Sequence, residues 1–265
     1  MTLYTALIVK SFQRMVVYRG ATLAGLATNF FFGLLRAYVF IEVFRAAGQD
    51  TIRGYTLQDA ITYTALTQAL IGPLFIWGWF DIARTIRTGE IVTHLTKPYD
   101  FFGFWMARDM GRAAFQLIFR GLPVLVVYPL IFDLSWPTHP GQLAAIALAV
   151  SLAIMISFAW RFLVNVSGFW LVDSLGFGRF AYMLMTLLSG FLVPVALFPG
   201  WLQAVAAATP MPAMVDTPIE VYLGIVQGRD LALAIGWQIV WLGVMIVIAR
   251  AAFRLGVRRV VLQGG

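Results

Sequence analysis

A phosphate-binding loop needs the spacing Gly-x4-Gly-Lys-Ser/Thr, because backbone amides cradle the phosphates and the lysine reaches the terminal ones. This 265-residue chain has two lysines to offer. Lys10 precedes Ser11 but follows Ile8 and Val9, with no glycine-rich loop, and Lys97 precedes Pro98. No nucleotide-hydrolysing loop can be built from them, so any ATP and Mg2+ chemistry belongs to a partner polypeptide. The absence of cysteine removes thiolate metal sites and thiol nucleophiles. His94 and His139 are expected on opposite sides of a membrane and cannot share a metal. Glu42, Asp133 and Asp173 stand alone, without the paired spacing that acid–base hydrolysis requires. Ser189-Gly190 has no histidine or lysine partner in view. No catalytic, cofactor or metal residues are assigned.

What remains is polar material inside apolar stretches. Arg36, Arg120 and Arg161 interrupt hydrophobic runs, and Thr64, Gln68 and Gly72 recur every four residues along another. Such a stripe packs helices closely or hydrogen-bonds across them, and Gln68 and Thr64 are also candidates to line a pathway. Arg120 has two readings: a cavity residue, or an arginine snorkelling to the inner rim. Arg36 and Glu42 lie on different faces of one helix, so the partner of Arg36 is expected on another.

The elements that must position these residues follow from composition. Hydrophobic residues make up 61% of the chain and charged ones 12%, about half the charged share of an ordinary soluble domain. Disorder needs the opposite balance. The chain therefore reads as an all-α, multi-pass membrane protein, a single transmembrane domain over 1–265. Runs without or nearly without charge mark six spans, at 20–44, 60–80, 113–132, 141–172, 180–198 and 231–249. Each approaches or exceeds the roughly 20 residues that cross about 30 Å of hydrocarbon.

After Phe198 the prolines 199, 210, 212 and 218 break the chain into pieces too short to span. Residues 199–229 are expected to form an outer re-entrant hairpin, since irregular backbone enters a bilayer only when protein shields it. Six spans place Lys10, Arg14, Arg19, Arg84, Arg87, Lys97, Arg108, Arg112, Arg179, Arg250, Arg254, Arg258 and Arg259 on one side. Arg45, Arg53 and Arg229 fall on the other. The positive-inside rule puts both termini in the cytoplasm. The net charge of +7 then faces anionic lipid and implies no nucleic-acid partner.

Two segments do not span. Residues 1–19 carry Tyr4, Ile8, Phe12 and Met15 at helical spacing, an amphipathic helix expected to lie flat on the inner leaflet. Residues 81–111 alternate charges of both signs and are long for a simple turn. They are expected to present a docking surface for a cytoplasmic partner.

The run from Arg87 to Asp100, Arg-Thr-Gly-Glu-Ile-Val-Thr-His-Leu-Thr-Lys-Pro-Tyr-Asp, followed by Ala-Arg-Asp-Met-Gly-Arg-Ala at 107–113, resembles permeases of the ABC-2 exporter type. So do Leu188–Leu202 and Thr217–Gly224. The resemblance runs in order along nearly the whole chain. It implies the membrane subunit of a bacterial exporter in the cytoplasmic membrane, working as a homodimer or with a second, related permease, and driven by separate ABC ATPase subunits. It further implies that Arg84, Arg87, Gly89, Glu90 and His94 form the ATPase-coupling segment, and that Phe198, Pro199, Trp201 and Pro210 belong to an outer gate. The match leaves the substrate open. A stand-alone channel or secondary transporter would need an intramembrane acid or polar relay, and a membrane enzyme would need a catalytic constellation. The sequence displays neither.

Overall fold

The computed structural model describes residues 3–16, 19–76 and 78–259, and the chain is helical almost throughout. Helix α1 (Leu3–Val16) leads to α2 (Arg19–Ala47), a two-residue β-hairpin of β1 (Thr51–Ile52) and β2 (Tyr55–Thr56), and α3 (Leu57–Leu74). The short helices α4 (Asp81–Arg87) and α5 (Ile91–Leu95) precede α6 (Phe101–Gln116), which continues through a π turn at Leu117–Gly121 into α7 (Leu122–Val127). Then come α8 (Pro140–Val166), α9 (Ser174–Leu188), α10 (Gly200–Ala207), α11 (Asp216–Leu223) and α12 (Gly228–Val257).

Among the described residues, four helices are long and apolar enough to cross a membrane: Ala24–Ala47, Phe101–Leu130, Pro140–Phe169 and Gly228–Val257. Their outward faces suit lipid. Phe31, Phe32, Leu35 and Val39 of α2, and Leu233, Trp237, Val240 and Val247 of α12, are all exposed. Helix α3 is the opposite case. Every residue from Ala60 to Leu74 is buried, so its polar Thr64, Thr67 and Gln68 are sheathed by protein rather than by lipid. Its start is pinned by a capping box in which Thr56 and Asp59 satisfy each other's backbone N–H groups. The core around it is aromatic, with Phe158 and Phe162 of α8 stacked edge-on against Phe102 of α6 at 5.3 and 4.9 Å.

Three helix boundaries depart from the expected spans. Helix α3 ends at Leu74 rather than near Phe80, because Pro73 weakens the last turn and Phe75 takes a left-handed conformation (φ 51°). Helix α6 begins at Phe101, capped by the Asp100 carboxylate on the Gly103 N–H at 2.7 Å. Residues 101–111 are therefore the first turns of a continuous helix, not part of a polar connection. Helix α9 occupies Ser174–Leu188 instead of 180–198, stopped by Gly190 at φ 81°. There any side chain would crowd the Tyr63 hydroxyl and Asp216. The segment after it breaks at its prolines as expected, with α10 and α11 as short pieces packed among longer helices.

Helix α1 lies on α6. Ser11 Oγ donates to the Arg108 carbonyl at 2.6 Å, and Gly111 brings the α6 backbone against the Ile8 carbonyl. Residues 1–2 and 17–18 of the expected interfacial helix lie outside the described residues.

Candidate functional site

The C-terminal end of α3 is where the elements meet. A helix leaves its last carbonyls without intrahelical donors, and here other helices supply them. Arg112 of α6 donates from Nη1 to Gly72 O and from Nη2 to Pro73 O, both at 2.7 Å, while Ser157 of α8 donates to Leu74 O at 2.8 Å. The Arg112 guanidinium also sits 3.7 Å from the centre of the Phe75 ring.

Arg112 is held in turn by Asp109, which it meets through Nε at 2.9 Å. Arg161 of α8, fully buried, donates to both oxygens of the same carboxylate at 3.1 and 2.7 Å. One acid thus serves two arginines from two helices. Arg108 and Arg112, counted above as rim charges, part ways: Arg112 is buried in this cluster, and Arg108 lies over the Trp105 ring at 4.5 Å. Sequence reasoning missed Asp109 as the counter-ion. The signal was available, since Arg161 inside an apolar run demands an acid and Asp109 precedes Arg112 by one helical turn.

The connection from α3 to α6 is clamped to α8 just below. Asn165 accepts from the Ala83 N–H at 2.9 Å and donates to Trp79 O at 2.7 Å. Tyr182 of α9 donates to the same carbonyl at 2.9 Å. Helix α4 buries Ile82 and Ala83 against the bundle and turns Arg84 and Arg87 outward, with Gly89 and Glu90 exposed beside them. His94 does not join that surface. It is half-buried among the rings of Phe101, Phe104 and Trp105, with Nδ1 2.6 Å from the Tyr99 hydroxyl. Burial, then the nearby Lys97 and Arg108 charges, push its pKa below the ordinary value.

A second set of polar groups lies between α2, α3 and α6. Arg36 donates to Thr67 Oγ1 at 3.1 Å and to the Phe191 carbonyl, and stands 4.8 Å over the Phe191 ring. With its amide oxygen turned towards Arg36, Gln68 accepts from Nη2 at 2.7 Å and donates to Asn29 O at 3.0 Å. Asn29 returns a bond to Gln68 O at 3.3 Å and accepts from Arg120 Nη2 at 3.3 Å. The partner of Arg36 is thus on other elements, as expected, but it is neutral; Glu42 pairs with Arg45 at 2.7 Å instead. Arg120 rides on the π turn that precedes Pro123, where the ring denies a backbone donor and the register shifts.

These residues border three contiguous cavities. The outermost, about 540 Å³, is lined by Arg36, Gln68, Phe191 and Leu192; the middle one, about 250 Å³, by Arg120, Gln116 and Phe75. Asn29, Thr28 and Ile71 border both. The innermost, about 360 Å³, shares Phe75 and Gln116 and reaches Arg14, Asp81 and Arg108. Gln68 and Arg120 therefore face open space, whereas Thr64 is buried and bonds Ala60 O of its own helix at 3.0 Å. Of the outer residues, Phe198 and Pro210 are buried, and Pro199 and Trp201 are exposed. Below Gly190, Tyr63 donates to its carbonyl and reaches Asp216 Oδ1, both at 2.7 Å, tying α3 to α11.

A helical bundle with long apolar helices, a shielded central helix and arginine-lined cavities has the build of a membrane transport protein. The chain belongs to the ABC-2 transporter family: the model described as "ABC-2 family transporter protein" matches residues 7–264. It is a multi-pass membrane protein of permease type. No curated protein and no solved structure matches it.

Proposed function

We propose that this chain is the transmembrane subunit of a bacterial ABC-2 exporter in the cytoplasmic membrane, driven by ATP hydrolysed in separate subunits. It acts as a dimer, with itself or with a related permease. In this reading the four long helices cross the membrane together with α3 and α9, whose short lengths are accommodated by the protein around them. Both termini are cytoplasmic, and α10 and α11 form the outer re-entrant hairpin that closes the gate.

The observation that carries the reading is the placement of α4. Its outer face offers Arg84 and Arg87, beside Gly89 and Glu90, to solvent. Its inner face is fastened to α8 through Asn165 and lies directly after the Arg112-capped end of α3. A partner that moves α4 therefore moves α8 and the end of α3 together, which is what an access change requires. Exposed charges contribute little to stability when solvated, so Arg84, Arg87 and Glu90 on this face suit contact with a partner better than a role in holding the bundle.

The test is co-purification in mild detergent with the candidate ATPase, followed by ATP-driven transport in vesicles. Arg87→Glu combined with Glu90→Arg should abolish transport while the permease still folds. An unaffected exchange, or a chain that never retains an ATPase, overturns the coupling assignment.

A further inference from the structure

We propose that the cavities between α2, α3 and α6 bind the anionic head of an amphiphile, with Arg36 and Arg120 as its charge partners. The inference rests on the transport reading above and names the ligand class of the cavities described there.

The argument is a contrast between two pairs of arginines. Arg112 and Arg161 are buried and share the carboxylate of Asp109. Arg36 and Arg120 have no such partner. Among the described residues the ion pairs engage Arg45, Arg84, Arg112, Arg161 and Arg250, and neither of these two. Arg36 is met by a hydroxyl, a backbone carbonyl and an amide, all neutral acceptors that orient the guanidinium without cancelling its charge. Arg120 has a single 3.3 Å bond to Asn29, and its Nε is buried without a partner. Gln116 Oε1, which borders the same cavity, is also unpartnered.

An arginine near the centre of a span is costly to insert. Snorkelling lowers that cost only where the side chain reaches an interface. Arg36 does not escape this way: it lies roughly 16 Å from the end of α2 at Ala47, at about 1.5 Å per residue, and is turned inward onto Thr67 and Phe191. Asn29, which holds Arg120, is about 10 Å along α2 from Arg36 by the same rise. The two cations thus line two cavities that share Thr28, Asn29 and Ile71, one guanidinium in each.

The rest of the lining selects the remainder of the ligand. Phe32, Leu35, Val39, Ile71 and Leu192 also line the cavity at Arg36, and Phe32, Leu35 and Val39 are exposed on the lipid-suited face of α2, so the cavity opens where an acyl or alkyl chain would lie. Neither the outer nor the middle cavity has a carboxylate in its lining. A cationic ligand would find neutral acceptors such as Gln116 Oε1 but no counter-charge, and the nearby guanidinium would repel it. The chemistry common to both possible sources, a lipid of the bilayer and a freely diffusing amphiphile, is a phosphate, sulfate or carboxylate head on an apolar chain.

The full chain, reconstituted in nanodiscs of neutral phosphatidylcholine, is titrated with dodecyl phosphate, with dodecyltrimethylammonium and with inorganic phosphate while its thermal midpoint is followed by tryptophan fluorescence. The anionic amphiphile should raise the midpoint saturably and the cationic one should not. Arg36→Gln with Arg120→Gln should weaken the effect at least about tenfold, or about 1.4 kcal/mol, while the doubly lysine-substituted chain retains part of it. Losing two uncompensated charges relieves an insertion cost, so the glutamine variant should fold, and its own melting curve checks this. Equal responses to both amphiphiles, or an unchanged response in the glutamine variant, overturn the proposal. A response to inorganic phosphate as large as that to dodecyl phosphate overturns the amphiphile assignment. Added phosphatidylglycerol that shifts the midpoint in an arginine-dependent way identifies lipid as the source; a shift with dodecyl phosphate alone identifies a diffusing ligand. Both outcomes support the site. The measurement needs no ATPase, so failed ATPase association would sink the coupling reading and leave this one standing.

Discussion

The Asp109 carboxylate is gripped on both oxygens by Arg161, at 3.1 and 2.7 Å, from a helix that begins well after α6 has ended. With Arg112 on its other flank, it is the joint through which α6, α8 and the end of α3 share one position. A bidentate guanidinium–carboxylate pair is directional, so sliding one helix past another breaks it.

Removing the acid alone should be more harmful than removing it together with one of its two arginines. Asp109→Leu leaves Arg112 and Arg161 buried with no counter-charge, and should cost about 3 to 5 kcal/mol. Asp109→Leu combined with Arg161→Met should recover part of that loss. Thermal unfolding in detergent, read by size-exclusion fluorescence, compares the two; equal destabilisation would refute the charge argument.

Asn165→Ala should separate motor from membrane. It removes the acceptor of the Ala83 N–H and one donor to Trp79 O, at about 1 to 3 kcal/mol for the stranded groups. The bundle should survive while α4 loosens. In a reconstituted complex, ATP hydrolysis should persist and transport per ATP should fall.

The half-buried His94 should make the α5 region sensitive to acid. Its pKa is depressed in the folded chain, so the unfolded or opened form binds the proton more readily. Stability contributed by the neutral ring is complete above the ordinary histidine pKa of about 6.5. It declines as pH falls below that value and is fully lost once pH is below the folded pKa. Hydrogen-exchange protection over residues 91–99, with the intrinsic pH dependence of amide exchange divided out, should fall as pH drops below about 6.5, and His94→Phe should remove that dependence.

Gly111→Ala should lift α1 from α6, because a Cβ there meets the Ile8 carbonyl, which is rigid backbone. Overpacking of this kind costs about 1 to 3 kcal/mol. Faster exchange over residues 3–16 with unchanged exchange in α8 would locate the effect; a silent substitution would place α1 elsewhere.

Much of the architecture was legible from hydropathy. The runs beginning near residues 141 and 231 became α8 and α12, and the proline-broken stretch after Phe198 became short helices. The failures have local causes that hydropathy ignores. Pro73 and the left-handed Phe75 cut α3 short inside an unbroken apolar run, and the Asp100 cap starts α6 inside a charged one. His94 looked like a surface residue because its neighbours in sequence are polar. Its neighbours in space are aromatic rings supplied by the first turns of α6, 7 to 11 residues further on.

How a stretch of chain meets a bilayer depends on the chemistry of adjacent residues, so the membrane class could be read directly from the order of amino acids, and the family from a resemblance that runs along nearly the whole chain. Which arginine acquires a counter-ion could not. Arg161 and Arg36 look alike in an apolar run, and both are isolated in their own segments. One finds Asp109, 52 positions away, and the other finds a hydroxyl, an amide and a carbonyl. That difference arises when helices pack, because a buried charge is balanced only by groups brought within a few ångströms of it, wherever in the chain they originate.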